Sequence, residues 1–230
     1  MSTRREFLAS VPAAALAAAA PDAISFAAWS INRSFFVAKR WTNLQLPGLI
    51  KKEFGITALE FVNQFFENPT LAYLQKLKRA GADEGVRFVR IMVDSEGDMA
   101  AANAADRQRS IIAHRKWVDI AHELGCKDIR CNCRGEAGDS FIGRGAESFN
   151  ALLDYAKPAK VDIIIENHGG PSSDPKMLGG LMKAVNRPEL GTLPDFGNIN
   201  QGDDPYAVVK ALMPWAKGVS VKAGWAADGS

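Results

Sequence analysis

From Ile24 onward the chain alternates short apolar runs with longer amphipathic ones. Seven runs read as strands: Ile24 to Ser30, Ile56 to Asn63, Val86 to Asp94, Lys127 to Cys133, Val161 to His168, Leu190 to Asp195 and Gly218 to Lys222. Six segments between them read as helices: Leu44 to Phe54, Pro69 to Glu84, Asp106 to Leu124, Gly145 to Lys157, Pro175 to Val185 and Pro205 to Ala216. Two of these helix starts rest on backbone chemistry as well as periodicity. In Asp174-Pro175 and Asp204-Pro205, a carboxylate suited to accept the free N–H groups of a first turn precedes a proline whose fixed φ suits the first helical position.

Each strand and the helix after it make one β/α unit, and repeated units of this kind imply a parallel sheet covered by helices. Ile163-Ile164-Ile165 is the continuous apolar run that a sheet buried on both faces requires. A dinucleotide-binding sheet wants G-x-G-x-x-G after its first strand, and Trp29-Ser30-Ile31-Asn32-Arg33 has no glycine. Polar residues recur instead at the ends of several strands, which is how a (β/α)8 TIM barrel assembles a site. A barrel closes when strand eight pairs with strand one, so the expectation is a barrel truncated after strand seven, lacking its eighth β/α unit.

Charge narrows the partners. Lys plus Arg number 28 against 26 Asp plus Glu, without a run of like charges fit to track a phosphate backbone, so nucleic acid is excluded and a small molecule fits better. Cys126, Cys131 and Cys133 have neither a metal-type nor a disulfide-framework spacing and read as packing residues. Thr3-Arg4-Arg5-Glu6-Phe7-Leu8, followed by an Ala-rich stretch from Val11 to Ala20, resembles a twin-arginine export signal. The expected division is a signal peptide over residues 1–20 and one barrel domain over 21–230, delivered to the periplasm or beyond. The Ala-rich stretch is too short to span a bilayer, so stable membrane insertion is not expected, whereas a homo-oligomer stays open.

The strongest candidate chemistry is Ile163-Ile164-Ile165-Glu166-Asn167-His168-Gly169-Gly170. Alternation puts Glu166 and His168 on one face at the C-terminal end of the strand, where barrel active sites lie, although an ion pair for Glu166 and a loop cap for His168 would serve structure alone. In Leu193-Pro194-Asp195-Phe196-Gly197-Asn198 the carboxylate again follows an apolar segment. Asp195 is either a turn former or a second carboxylate converging with Glu166 on a divalent cation.

These motifs, taken in order, resemble a known family. Glu60 in I-T-A-L-E-F-V-N, M-V-D-S-E-G-D from Met92, Ile129-Arg130-Cys131-Asn132, E-N-H-G-G from Glu166, S-S-D-P from Ser172, L-P-D-F-G-N from Leu193 and Lys217 to Lys222 are similar to the sugar phosphate isomerase/epimerase family with xylose isomerase-like barrels. The resemblance spans nearly all of residues 24–226. It implies proton abstraction beside a sugar carbonyl through an enediolate, with a divalent metal (Mn2+, Mg2+, Co2+ or Zn2+) held by Glu166 and Asp195. Glu166, His168 and Lys222 are the catalytic candidates it suggests, Glu166 as base. The family places a His where this chain has Lys222, so the ammonium either supplies positive charge itself or pairs with the two carboxylates where a metal would sit. Glu60, Asn63, Asp94, Arg130, Asn132 and Asn198 lie at or near strand ends as candidates to bind sugar hydroxyls.

Two motifs are rejected. Asp94 to Asp98 begins like a calcium loop but has Met99 and Ala105 where Gly and Glu are needed, and Gly143-Arg144-Gly145 reads as a loop and helix start rather than a phosphate seat. His114 and His122 read as helical surface or packing residues. Two other functions compete: a non-catalytic sugar-binding barrel, and a metal-dependent nuclease of the endonuclease IV kind, whose site would be rich in His.

Overall fold

A computed structural model describes residues 24–138 and 140–222. The twin-arginine motif and its Ala-rich stretch lie outside the described residues.

Six parallel strands form one sheet in chain order: β1 (Phe26–Ala27), β2 (Ala58–Val62), β3 (Arg87–Val93), β4 (Asp128–Asn132), β5 (Asp162–Glu166) and β6 (Leu190–Leu193). Each strand hydrogen-bonds its sequence neighbours. A doubly wound sheet reverses its strand order part-way, so uninterrupted chain order is the progression of a barrel wall. Between and after the strands run α1 (Asn32–Phe36), α2 (Leu46–Phe54), α3 (Leu71–Glu84), α4 (Ala104–Leu124), α5 (Ser140–Ala156), α6 (Pro175–Val185) and α7 (Pro205–Leu212).

The helix boundaries follow the expected local chemistry. Asp174 accepts a hydrogen bond from the Lys176 N–H and Asp204 from the Tyr206 N–H, each ahead of its proline. Asn103 caps α4 and Thr70 caps α3 in the same way. At the other ends α3 and α4 stop at Gly85 and Gly125, whose φ of 65° and 76° is left-handed backbone that a side chain would strain.

Three elements differ from the reading of the sequence. The first strand is confined to Phe26–Ala27, because the chain turns at Ala28 into a 3-10 helix over Ala28–Ile31. Helix α5 starts at Ser140 rather than Gly145, with Gly145 inside it as a contact point: a Cβ there would stand 3.1 Å from Leu181 on α6. The seventh run is not a continuous strand. It and the residues just before it approach β6 and the turn after it through two isolated parallel bridges, Thr192 with Ala216 and Asp195 with Ser220, and the Ser220 N–H donates to Pro194 O at 2.8 Å.

The two faces of the wall have different chemistry. Ile129, Cys131, Ile163 and Ile165 point outward and join Phe149, Leu152, Leu178 and Leu181 from the helices in a contiguous buried core. Each such side chain contributes roughly 1.5–3 kcal/mol on leaving water. All three cysteines are buried and free, and burial pushes their thiols above the usual range, as packing residues require. His114 is buried within α4 with Nδ1 on Ser110 O, whereas His122 reaches Ala159 O at the surface.

The inward face is polar and layered by register. Glu60, Arg90 and Asp128 are successive partners across β2, β3 and β4, forming a lower layer. Met92, Arg130 and Ile164 form the next layer. Asn132 and Glu166 pair above them at the strand ends.

Candidate functional site

Above that upper layer a cavity of about 280 Å³ opens at the C-terminal ends of the strands. Asp94, Arg130, Asn132, Arg134, Glu166, His168 and Lys222 give it its charge. Its volume lies just under the ~300–1,000 Å³ of small-molecule sites. Ala27 and Trp29 line it from one end of the sheet and Ser220 to Lys222 from the other, so both edges of the wall face the same space.

Arg130 organises one side. Its guanidinium is almost wholly buried and lies between two carboxylates, with Nη1 donating to Asp94 Oδ1 at 2.7 Å and Nε 2.8 Å from Glu166 Oε2. The second contact is close enough for an ion pair but is not aligned as a hydrogen bond, so Nε and Oε2 both lack a hydrogen-bond partner. Asn132 donates to Asp94 Oδ1 at 2.8 Å. Burial alone would raise the Asp94 carboxyl, but Arg130 and Asn132 together hold it below the usual range.

Glu166 is the last residue of β5 and is 4% exposed. Burial pushes its carboxyl up to about 7, against the pull of Arg130, and a hydrogen bond toward Asp195 raises it further. Asp195, fully buried, moves the other way. Burial opposes its charge, yet hydrogen bonds from Ser220, the Glu166 carboxyl and the Gly197 N–H keep it below the usual range. Below about pH 7 Glu166 therefore holds its proton while Asp195 stays ionised. Glu166 Oε2 and Asp195 Oδ2 accept no aligned hydrogen bond; their nearest cations, Arg130 and Lys222, meet them as ion pairs.

Asp195 is both a turn former and a site residue. Its Oδ1 accepts from the N–H groups of Gly197 and Asn198 at 2.7 and 2.9 Å, as in an Asx turn, while Oδ2 lies 3.2 Å from Lys222 Nζ. Lys222 Nζ also donates to Asn198 Oδ1 at 2.6 Å, and Asn198 Nδ2 donates to Glu166 Oε1 at 3.0 Å. Asn198 thus bridges the lysine to the glutamate.

His168 accepts at Nδ1 from Arg134 Nη2 at 3.1 Å. Arginine has no acceptor, so Nδ1 carries no proton and a neutral ring must carry its proton on Nε2. Burial first, then the nearby Arg130, lowers the imidazole below its usual range and favours that neutral form. The loop behind it is pinned by Ser172 Oγ, which accepts from the His168 N–H, and by Ser173 Oγ, which accepts from the Gly169 N–H and donates to Asn198 O.

Of the residues expected from the sequence, Glu166, His168, Lys222, Asp195, Asp94, Arg130, Asn132 and Asn198 come together here. Asn63 does not line the cavity. It holds Asp94 in place through both backbone groups, donating to Asp94 O and accepting from the Asp94 N–H at 2.9 Å each. Glu60 is a correction. It sits a layer lower, accepts from Ser25 Oγ and lies 3.3 Å from Arg90, facing a separate cavity toward the N-terminal ends of the strands. Its place mid-strand, rather than at the strand end, is the cause. Arg134 and Asn167 were missed. Asn167 faces outward, yet it accepts from the Asp195 N–H at 2.7 Å and donates to Asp195 O at 2.9 Å, fixing the second carboxylate's backbone.

Residues 50–228 match the family of xylose isomerase-like TIM barrels. The chain belongs to that family. No curated protein matches its sequence. Among solved structures, this xylose isomerase-like barrel is similar to the xylose isomerase domain protein from Planctomyces limnophilus, at 16% identity and a TM-score of 0.62, over 74% of this chain and 65% of that one. A D-tagatose 3-epimerase-like protein aligns at 18% identity and a TM-score of 0.65, over 76% and 69% of the two chains. A Mycobacterium smegmatis protein of the same fold, in complex with magnesium, aligns at 13% identity and a TM-score of 0.62, over 79% and 67%. The chain spans about two thirds of the length of these structures.

A divalent metal is the cofactor to test against the residues present. Glu166 Oε2 and Asp195 Oδ2 are buried oxygens without a hydrogen-bond donor, which is what a cation would seek. Each, however, already faces a side-chain cation, Arg130 at 2.8 Å and Lys222 at 3.2 Å. No group of three or more His, Cys, Asp or Glu suited to a metal occurs among the described residues, whereas Mg2+ is octahedral and Ca2+ takes six to eight oxygens. The described residues do not fit a resident divalent metal.

Proposed function

We propose that this barrel is a sugar isomerase or epimerase that moves a proton on the carbon beside a carbonyl. The observation that carries the proposal is Glu166: a buried carboxyl on the wall of a sugar-sized cavity, with its pKa pushed up to about 7 and side-chain cations close by. A general base works best when its pKa lies near the working pH, and this one is half ionised at neutrality. Membership of the xylose isomerase-like family and the fold shared with a D-tagatose 3-epimerase-like protein support the same chemistry.

In the reaction, the Glu166 carboxylate takes the proton from the carbon, and the C–H electrons form the enediolate as charge moves onto the carbonyl oxygen. The ammonium of Lys222 and the Nε2–H of neutral His168 meet that oxygen. Such donors are worth most in a site that excludes bulk water. Arg130 stays charged between Asp94 and Glu166 and favours the ionised base. Delivery of the proton to the neighbouring carbon, with the hydroxyl proton passing from one enediolate oxygen to the other, gives an isomer, whereas donation of a proton to the opposite face of the original carbon by another acid gives an epimer.

The test is a panel of ketoses and aldoses incubated with the full chain in D2O, read by NMR. Exchange of one carbon-bound proton for deuterium, lost in Glu166→Gln, is the expected result. Sugar binding without exchange for any member would leave a non-catalytic sugar-binding barrel in its place. The nuclease alternative draws no support, because His168 is the only imidazole lining this cavity. Export is proposed with the function, from Arg4-Arg5 and the Ala-rich stretch after them. Retention of the Arg4→Lys/Arg5→Lys variant in the cytoplasm would support it, and unchanged export would refute it.

A further inference from the structure

We propose that the ammonium of Lys222 is the resident cation of this site, occupying the place beside Asp195 and Asn198 that a divalent metal would take. Its role toward substrate rests on the sugar reading above; its role as the cation does not.

Four observations converge on it. First, Nζ lies 2.6 Å from Asn198 Oδ1 and 3.2 Å from Asp195 Oδ2. The first is a hydrogen bond and the second an ion pair, so of the three N–H groups of the ammonium only one is committed to a hydrogen bond, to Asn198, and donor capacity remains for an oxygen in the cavity that Lys222 lines. Second, Asp195 is fully buried, and a buried carboxylate without a nearby cation is strongly disfavoured, so the lysine answers a need that exists before any ligand arrives. Third, the turn is shaped around the lysine stem. A Cβ on Gly197 would stand 2.7 Å from Lys222 Cδ and 3.1 Å from its Cβ, closer than packed carbons approach, so glycine leaves the channel along which the stem runs. Fourth, the backbone two residues earlier is fixed on the same strand end, with Ser220 bridged to Asp195. The chain from Ser220 to Lys222 then runs along the cavity, which all three of its residues line.

The charge requirement separates an ammonium from a metal. A divalent ion carries two positive charges and takes a full shell of oxygen ligands, whereas a single positive charge is balanced by Asp195 alone. With Glu166 engaged by Arg130 and Asn198, one monovalent cation balances Asp195 among the described residues.

The test has one arm that needs no substrate. Mn2+ is titrated into the purified full chain and into Lys222→Ala, with free Mn2+ read by electron paramagnetic resonance. The wild type is expected to hold no stoichiometric Mn2+, and the variant to gain at least about tenfold in affinity as the carboxylates and Asn198 become available. One Mn2+ per wild-type chain, lost in Asp195→Asn, would overturn the proposal. The wild-type titration stands alone should Lys222→Ala fail to fold. The second arm uses the sugar that exchanges deuterium. Exchange should survive EDTA, fall roughly 100-fold or more in Lys222→Ala and recover in part with added ethylammonium. Loss of exchange in EDTA, or full exchange in the variant, would overturn it. If no sugar exchanges, the reading of the function fails while the Mn2+ arm still decides the cation.

Discussion

Glu166→Gln tests the electrostatics of the site without reference to any substrate. The substitution keeps the shape of the side chain and removes its titration. In the folded chain Glu166 holds its proton up to about pH 7, whereas in the unfolded chain it releases it near 4.5. Between those values the native state binds more protons than the unfolded one, so stability falls as pH rises, and the loss is complete above about pH 7. A rise from 4.5 to about 7, at ~1.36 kcal/mol per pH unit, makes the ionised glutamate cost ~3 kcal/mol. The glutamine variant also loses the contact with Arg130, which adds an offset that is nearly constant with pH. The readout is therefore the difference between the two proteins, by urea unfolding from pH 4 to pH 8. That difference should move by ~3 kcal/mol in favour of the variant as pH rises, or roughly 6–12 °C in Tm for a domain of this size. Asp195 sits below the usual carboxylate range and so titrates outside this window in the wild type. Stability curves that stay parallel within about 1 kcal/mol would refute the account, because they would mean that Glu166 ionises at an ordinary pH.

Catalysis should follow the same group with the opposite preference. Turnover of the active sugar, followed by deuterium exchange, is expected to rise through about pH 7 and level off above it, since the base works only when ionised. Arg130→Met leaves the ionised, buried Glu166 and the half-buried Asp94 without their shared cation, and should lower stability by ~3–5 kcal/mol at pH 8 in urea unfolding. Asn167→Ala removes both hydrogen bonds to the Asp195 backbone and should cost ~1–3 kcal/mol, with lower exchange activity even though Asn167 lies behind the cavity wall.

Local features of the chain were legible because their causes are local. The caps at Asp174 and Asp204, each followed by proline, are within three residues of the N–H groups they serve, and both helices begin where that chemistry puts them. The triple isoleucine of β5 read as a doubly buried strand and is one. The seventh run was harder. Val219 and Val221 alternate as in a strand, yet they are 47% and 74% exposed, and a strand forms through its partners rather than through its own pattern. Arg134 and Asn167 escaped notice because their partners, His168 and Asp195, lie 34 and 28 residues away, beyond any local pattern.

Glu60 shows what alternation alone leaves undetermined. Period two says whether a strand residue faces in or out, and Glu60 does face in; its height in the barrel depends on how the strands are staggered. The register places it level with Arg90 and Asp128, one layer beneath Arg130. The two layers use the same residue types, so composition does not tell structure from function. Hydrogen-bond satisfaction differs between the two layers. Arg90 grips both oxygens of Asp128, at 2.5 and 3.2 Å, and turns its remaining nitrogen to Glu60. None of those three residues has an orphaned buried atom. The upper cluster leaves three such atoms, on Arg130, Glu166 and Asp195. It stays open by a proton's worth of hydrogen bonding, at the strand ends where a ligand can reach it.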